Sequence, residues 1–227
     1  MVTSRPPYRL AFCPRLEAER TLAAPVELRK RFSAAELSEL DALPARRKLD
    51  RVAGRLAVKR ALTAHFLGEY GWDVDPVELP IFNDGDGRPT LVLPHGAPAP
   101  APSFSISHCA QGGAAAVAAP GRRVGVDIET IMARPAEVIA FVASPGELAC
   151  GPSDPDGQAR LWTGKEAALK MLGLGLDADA RAVRPEADGV TLTGVPAKAW
   201  AALGSPRVRI DFDGADGARI AVAYTGD

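Results

Sequence analysis

The chain has 227 residues, of which 47% are hydrophobic, 24% charged and 6% aromatic. These fractions are typical of globular proteins, and a formal net charge of −1 gives no whole-molecule attraction to nucleic acid or to a membrane surface. No apolar run approaches the roughly 20 residues that a membrane-spanning helix needs. The N-terminal residues lack the apolar core of a secretory signal, and the three cysteines are scattered. We therefore expect a cytoplasmic protein without a disulfide framework or a zinc cluster.

The N-terminal half of the sequence predicts helices followed by short strands. Ser33 and Glu36 have the spacing of a capping box, which predicts the start of a helix. A long helix is predicted from Arg46 to about Gly68, because apolar residues recur at helical spacing and the intervening face is rich in arginine and lysine. This basic face is either solvated or bound to phosphate, and no aromatic interleaving or helix-turn-helix spacing indicates nucleic acid. Short strands are predicted in the runs VELPIF, TLVLP, SFSIS and AAAVAA.

The C-terminal half predicts one strand, then helices, then further strands. The first strand is VGVDIE, residues 124–129, and the longer helix runs from about Gly157 to Leu172. The strand candidates GVTL, RVRIDF and ARIAVAY come last. Residues 53–62 and 163–172 share glycine, a basic residue, alanine and leucine at matching positions. This repetition is either chance similarity between alanine-rich helices or the trace of two similar α+β halves.

Two acidic residues lie on one face of the predicted strand VGVDIE. With period-two alternation the valines and the isoleucine face the core, whereas Gly125, Asp127 and Glu129 face the opposite side. Carboxylates two residues apart on a strand can converge on a hard cation such as Mg²⁺, whose remaining ligands are water and phosphate oxygens. The alternative is an edge strand with a solvated acidic face.

Two further motifs carry polar residues with more than one interpretation. In the predicted helix RLWTGKEAALKML, Glu166 and Lys170 lie one turn apart, which is either a surface ion pair or a metal ligand beside a cation for phosphate. In SISHC, Ser107 and His108 are neighbours on a strand, so they point to opposite faces and do not form a serine-hydrolase triad. They are either phosphate contacts or caps of the strand end.

The order of these motifs is more specific than any one of them. GRP, SISH, GVDIE and WTGKEAALK, followed by a glycine-containing GLGL loop, occur in this order in the chain. Together they resemble the Sfp-type 4′-phosphopantetheinyl transferases over roughly residues 46–176. GVDIE and WxxKEAxxK, at their separation here, are the signature of that family.

The resemblance implies an α+β fold, namely a pseudo-twofold monomer of two similar halves, each a small sheet packed on helices, with coenzyme A in the cleft between them. The N-terminal half, residues 1–122, would bind the nucleotide of coenzyme A, and the C-terminal half, residues 123–227, would hold magnesium and the catalytic acids. The implied reaction transfers the 4′-phosphopantetheine arm of coenzyme A to a serine of an apo acyl or peptidyl carrier protein and releases adenosine 3′,5′-bisphosphate. Neither nucleic acid nor a membrane is an expected partner.

The resemblance also implies a role for each matched residue. The magnesium ligands would be Asp127, Glu129 and Glu166. Lys170 would bind the pyrophosphate, and Glu166 or a metal-bound water would take the proton of the attacking serine. The catalytic residues are then Glu166, Lys170 and His108. The residues expected to contact coenzyme A are Arg55, Arg88, Ser107, His108, Lys165 and Lys170.

Within that set, Arg55 and Arg88 are the expected contacts of the 3′-phosphate. Two other functions stay open: a magnesium-dependent phosphohydrolase and a non-catalytic coenzyme A-binding module. The presence of both Glu166 and Lys170 disfavours the binding module, and no residue that would position a water nucleophile is evident. Neither a Walker loop nor a dinucleotide-binding glycine pattern is present. The segment VASPGELACGPSDPDG is expected to be a loop that shapes carrier recognition, and the sequence leaves the identity of the carrier open.

Overall fold

The computed structural model describes residues 6–151, 153–175, 178–186 and 189–226. Leu176 of the GLGL motif and Pro152 of the expected carrier-recognition loop lie outside the described residues. The chain divides into two compact units, residues 1–121 and 122–227. Both combine antiparallel sheets with helices, so the predicted α+β class is confirmed. Within the described ranges no helix combines the length and the apolar character that a membrane span requires.

The first unit contains a three-stranded antiparallel sheet in the order β1-β5-β4, against which the long helix α4 packs. A separate hairpin joins β2 to β3. The elements are β1 (Tyr8–Pro14), α1 (Arg15–Ala23), α2 (Pro25–Arg29), α3 (Ala34–Asp41), α4 (Ala45–Tyr70), β2 (Ile81–Asn83), β3 (Pro89–Leu91), β4 (Ser103–Cys109) and β5 (Gly112–Ala118).

Helix α3 is held to α4 by a buried ion pair. The capping box predicted at Ser33 and Glu36 is present, and the Glu36 carboxylate also lies 2.9 Å from the Lys59 ammonium of α4. Lys59 donates a second hydrogen bond to the carbonyl of Pro76 at 2.8 Å. Because both charged side chains are buried, these hydrogen bonds replace the hydrogen bonds that each group would make to water in the unfolded chain. The pair therefore ties the first turn of α3 to the middle of α4.

Glycine sets the distance between α4 and its sheet. A Cβ atom on Gly113 of β5 would overlap the backbone of Ala53 and Gly54 in α4. Only a residue without a side chain permits this approach of helix and strand. The contact fixes α4, and with it the arginines of its basic face, against the sheet.

The second unit repeats this arrangement with a sheet in the order β6-β10-β9 and the helix α7 packed against it. A separate hairpin joins β7 to β8. The elements are β6 (Val124–Thr130), α5 (Ala136–Ile139), α6 (Pro145–Cys150), α7 (Pro155–Met171), β7 (Val183–Glu186), β8 (Gly189–Leu192), α8 (Gly194–Ala202), β9 (Val208–Ala215) and β10 (Ala218–Thr225). Helix α6 occupies the segment expected to be a loop, so that expectation is wrong for residues 145–150. Its helix start has a capping box at Ser144 and Glu147.

Strand β6 is buried on both faces. Val126 and Ile128 have no exposed surface, as alternation predicts, but Asp127 on the opposite face is also buried. The solvated-face alternative is therefore wrong for this residue. The cause is α7: a Cβ atom on Gly125 would overlap the backbone of Ala167 and Met171 in that helix. The acidic face of β6 is thus the face that α7 covers.

The two units share one topology. In each, the first strand of the unit lies at an edge of the sheet and pairs with the last strand, which also forms a hairpin with the strand before it. In each, a glycine in the sheet lies against the backbone of the long helix. Two similar α+β units are thus present, whereas the twofold axis between them stays a prediction.

Candidate functional site

Three carboxylates lie on two elements that pack together, β6 and α7. Asp127 and Glu129 project from the covered face of β6, and Glu166 projects from α7. Asp127 and Glu166 are buried, with 5% and 8% of their surface exposed, and the Glu129 side chain is 31% exposed. Three acids are therefore held on adjoining elements, with a route to solvent at the Glu129 end.

These carboxylates act on one another electrostatically. Burial raises the pKa of Glu166 above its ordinary value, and the neighbouring charge of Asp127 raises it further. The pKa of Glu129 is raised for the same two reasons, in the same order, against the opposing charges of Arg134 and Lys170. Carboxyls whose pKa is raised by burial and by a like charge are typical of sites that bind cations or transfer protons.

Two basic side chains neutralise part of this charge. Lys170 Nζ donates to Asp127 Oδ1 at 2.7 Å, across the contact between α7 and β6. Arg134, four residues after the end of β6, donates from Nη2 to Glu129 Oε2 at 2.7 Å. Lys170 and Asp127 are 43 residues apart in sequence, so their ion pair depends on the tertiary fold, whereas Arg134 and Glu129 are 5 residues apart. The acids are therefore balanced by cations of the protein itself.

The donor chemistry of this cluster fits a magnesium ion. Carboxylate oxygens are hard ligands, and a divalent cation would relieve the repulsion that raises the pKa of Glu129 and of Glu166. In the described part of the chain, however, no three acidic, histidine or cysteine side chains are grouped closely enough to hold an ion. Asp127 is paired with Lys170 and Glu129 with Arg134. A bound cation would have to replace or join them.

Lys165 has a different setting from the predicted contact with coenzyme A. Its side chain has no exposed surface, and its ammonium donates to the carbonyl of Val142 at 2.8 Å and to Glu147 at 2.6 Å. Burial lowers the pKa of Lys165, and the bond to Glu147 opposes that change. Glu147 itself accepts from the backbone and hydroxyl of Ser144. This geometry does not support the predicted contact: Lys165 joins α7 to the start of α6.

The first unit contains a basic cavity of about 630 Å³ along α4. It is lined by Leu43, Arg46, Arg47, Asp50, Arg51, Gly54, Arg55, Asn83, Gly87, Pro89, Ile106 and His108. Four of these residues are arginines on one side of one helix. Because guanidinium groups bind phosphate oxygens in a fixed fork geometry, this cavity suits a phosphorylated ligand.

Two of these arginines are held by one amide. Arg51 Nη1 and Arg55 Nη2 donate to Asn83 Oδ1 at 3.1 and 2.9 Å. Burial, and after it the nearby charge of Arg51, lowers the pKa of Arg55 to about 10. Arg55 therefore stays protonated at neutral pH but is poorly solvated. Like charges gathered in this way create a local positive potential that an anionic ligand would neutralise.

The other residues expected to contact coenzyme A in the first unit are placed as follows. His108 is exposed and lines the cavity. Ser107 precedes it on β4 and is buried on the opposite face, outside the described lining of the cavity. Arg88 is exposed on the turn between β2 and β3, and the residues on either side of it line the cavity. The structure thus brings Arg55 and His108 to one cavity, with Arg88 at its edge.

Sequence reasoning missed three residues of these two sites. Arg51 is counted only within the basic face of the helix, although its spacing of four from Arg47 and from Arg55 places all three along one line. Asn83 is assigned only to a turn. Arg134 has no local signal, because its partners on β6 and α7 are known only from the fold.

Comparison with known proteins finds a family model that matches the segment containing the acid cluster. A model of the 4′-phosphopantetheinyl transferase superfamily matches residues 123–202, which include Asp127, Glu129, Glu166 and Lys170. The predicted resemblance to this superfamily is confirmed. A search of curated proteins finds no match to the chain.

Solved structures of holo-acyl-carrier-protein synthases match about half of the chain. A holo-(acyl-carrier-protein) synthase from Bacillus anthracis, in complex with CoA (3′,5′-ADP), is 23% identical over 48% of this chain and 91% of its own, with a TM-score of 0.42. The holo-ACP-synthase from Plasmodium yoelii is 20% identical over 46% and 96%, with a TM-score of 0.37. The ACPS-CoA complex from Chronobacterium ammoniagenes is 22% identical over 46% and 96%, with a TM-score of 0.38.

Proposed function

We propose that this chain is an Sfp-type 4′-phosphopantetheinyl transferase, which transfers the arm of coenzyme A to a serine of an apo acyl or peptidyl carrier protein. The observation that supports it best is the cluster of Asp127, Glu129 and Glu166 beside Lys170, in the segment that matches the superfamily. The three acids can hold a metal ion, and the lysine ammonium lies beside them. A metal ion and an ammonium group together suit the binding of a diphosphate.

The proposed reaction is a displacement at the phosphorus atom that carries the pantetheine. The serine oxygen forms a new bond to this phosphorus, the bond to the bridging diphosphate oxygen breaks, and adenosine 3′,5′-bisphosphate leaves. Magnesium, when bound, supplies positive charge that offsets the charge on the phosphate oxygens. Glu166 is the proposed acceptor of the serine proton. Lys170 is the proposed donor to a phosphate oxygen of the diphosphate.

The basic cavity of the first unit is the proposed site of the nucleotide. Arg51 and Arg55, paired on Asn83, would bind the 3′-phosphate together with Arg88. His108 would contact a phosphate from the rim of the same cavity. This division assigns the nucleotide to the first unit and the metal and proton transfer to the second. We also propose that the protein is cytoplasmic and that it acts as a monomer. Sedimentation equilibrium tests the oligomeric state directly.

One experiment separates this function from a phosphohydrolase and from a coenzyme A-binding module. The protein is incubated with coenzyme A, magnesium and an apo carrier protein, and the intact carrier is weighed by mass spectrometry. The proposal predicts that each carrier protein gains the mass of one phosphopantetheine on one serine. Coenzyme A cleaved with no gain on the carrier would indicate a hydrolase, and coenzyme A bound but intact would indicate a binding module.

A matched pair of variants ties the result to the acid cluster. Glu166→Gln keeps the shape of the side chain but removes its charge and its basicity, so transfer is expected to fall by roughly 10²- to 10⁴-fold. Glu186→Gln, an exposed residue of β7, removes the same charge away from the cluster and is expected to leave transfer unchanged. Equal activity of the two variants would contradict the proposed role of Glu166.

A further inference from the structure

Arg134 is fixed from three directions beside the acid cluster. Its backbone N–H donates to Gln158 Oε1 of α7 at 3.0 Å. Its guanidinium donates to Glu129 at 2.7 Å and to the carbonyl of Thr130 at 3.2 Å. The same guanidinium lies over the ring of Trp162 on α7, 5.6 Å from the ring centroid. The arginine therefore links the end of β6 to α7 and holds the Glu129 carboxylate in one place.

The burial of the Arg134 guanidinium is partly unfavourable. Only 9% of its side chain is exposed, and its Nη1 nitrogen is buried with no hydrogen-bond partner in the described part of the chain. A buried donor without a partner is unfavourable, and an uncharged side chain of similar length would avoid this penalty. The aromatic face of Trp162 offsets part of it. This arrangement indicates that the positive charge itself has a function.

The inference rests on the proposed metal site and refines it. We propose that Arg134 is a positioning residue that acts as the built-in counter-cation of Glu129. In the metal-free protein it neutralises and orients the Glu129 carboxylate through the 2.7 Å ion pair. When a divalent cation binds, the same guanidinium competes for that carboxylate and repels the cation. Arg134 therefore weakens cation binding while it keeps the site folded without a cation.

Lys170 does not do the same for Asp127. The Lys170 side chain is 27% exposed and ends in a flexible ammonium, so it can turn from Asp127 to a phosphate oxygen. Arg134 is nine-tenths buried and held at its backbone and at its ring contact, so it stays beside Glu129 when a cation arrives. Competition for the carboxylate is consequently a permanent property of the site.

The test measures cation binding directly, apart from activity. Mn²⁺ serves as the probe, because the electron paramagnetic resonance signal of free Mn²⁺ reports how much is bound. Arg134→Met keeps the stem and removes the charge, and we expect it to bind Mn²⁺ about tenfold more tightly, as removal of a repelling unit charge at close range predicts. Arg134→Lys keeps the charge and is expected to retain wild-type weak binding. Arg181→Met, an exposed residue that pairs with Asp179, is the matched control and should not change Mn²⁺ affinity.

Thermal unfolding of the same variants gives a second measure. Without a cation, Arg134→Met should unfold at a lower temperature than the wild type, and added Mn²⁺ should raise its midpoint more than it raises that of the wild type. Unchanged or weaker Mn²⁺ binding in Arg134→Met would overturn the proposal. If Arg134→Met does not fold without a cation, Arg134→Lys carries the test, and looser Mn²⁺ binding than wild type would then count against it.

A second background shows whether Arg134 acts through Glu129. In Glu129→Gln the carboxylate is absent, so adding Arg134→Met should change Mn²⁺ affinity far less than it does in the wild type. An equal change in both backgrounds would overturn action through Glu129. A wild-type protein that transfers phosphopantetheine but binds no Mn²⁺ would end this inference and leave the proposed transfer standing. A wild-type protein that binds Mn²⁺ with the expected dependence on Arg134 but fails to modify a carrier would support this inference and contradict the proposed transfer.

Discussion

Lys170 Nζ lies 2.7 Å from Asp127 Oδ1 and joins the last turn of α7 to the middle of β6. The ion pair lies near Gly125, where β6 and α7 approach so closely that a Cβ atom would overlap the backbone of the helix. Since the Lys170 side chain is 27% exposed and flexible, its ammonium can turn from Asp127 to a phosphate oxygen. This side chain therefore pairs with the acid cluster and is the proposed donor to the diphosphate.

The first prediction concerns Lys170. Lys170→Met should lower kcat for phosphopantetheine transfer by roughly 10²- to 10³-fold, because a cation that offsets charge in the transition state is lost. Lys198→Met removes an exposed lysine of α8 and is the control. Steady-state kinetics with mass detection of the carrier measures both. A Lys170→Met enzyme with wild-type kcat would show that the lysine serves packing alone.

The second prediction concerns the arginines of the basic cavity. Arg51→Ala and Arg55→Ala should each raise the KM for coenzyme A by about ten- to a hundredfold, the usual worth of a charged hydrogen bond to phosphate. The kcat should change less, because the 3′-phosphate is remote from the reacting phosphorus. Dephospho-coenzyme A, which lacks that phosphate, tests the assignment: the wild type should prefer coenzyme A, and both variants should narrow the preference. Arg15→Ala, on α1, is the control.

The third prediction separates stability from substrate binding at Lys165. Lys165→Met should lower the free energy of unfolding by about 3 kcal/mol, because one partner of a buried ion pair is removed. The double variant Lys165→Met with Glu147→Gln should lose less than the sum of the two single changes. The KM for coenzyme A should stay at the wild-type value. A raised KM with unchanged stability would restore the contact with coenzyme A that the motif predicts.

The fourth prediction concerns the helix contact at Gly125. Gly125→Ala places a methyl group against the backbone of Ala167 and Met171, which cannot move aside as a side chain can. We expect a loss of about 3 kcal/mol or more in unfolding free energy. Gly146→Ala, in α6, meets open space and should be neutral or slightly stabilising. Urea denaturation of both variants tests the difference, and equal stability would contradict the close approach.

The fifth prediction concerns the pH dependence of stability without a divalent cation. The pKa of Glu166 is raised above its ordinary value of 4.5 by burial and by Asp127, so the folded protein holds this proton to higher pH than the unfolded chain does. The contribution of this proton to the free energy of unfolding is fully present below pH 4.5. It is lost as the pH rises through the raised pKa of the folded protein. Glu166→Gln should remove this part of the pH dependence of Tm, whereas Glu186→Gln should keep it.

Local patterns predicted the elements that carry most of these groups. The long basic helix, the capping box at Ser33 and Glu36, the strand β6 and the helix α7 are all present close to their expected bounds. The pattern that predicts each of these elements involves residues that are close together in sequence. A short stretch of sequence therefore contains the whole pattern. The capping box at Ser144 and Glu147 has the same signal, yet the segment around it is proline- and glycine-rich and was expected to be a loop.

The settings of individual charged side chains could not be predicted in this way. Lys165 and Lys170 lie in one helix and one motif, yet the side chain of the first is fully buried and that of the second is 27% exposed. The difference arises from their partners: Lys165 pairs with Glu147, 18 residues away in sequence, and Lys170 pairs with Asp127, 43 residues away. Arg134 is likewise defined by Glu129 and Trp162, which only the fold brings together. Helical spacing gives the face of a residue but not what covers that face.

Strand β6 hydrogen-bonds along its length to β10, with Glu129 opposite Arg219, about 90 residues later in the chain. Because closing so long a loop is entropically unfavourable, this pairing is among the slower steps of folding. During synthesis, Asp127 and Glu129 leave the ribosome well before the strand that fixes them. A chain arrested before β10 would contain every proposed metal ligand and still lack the sheet that holds two of them in place.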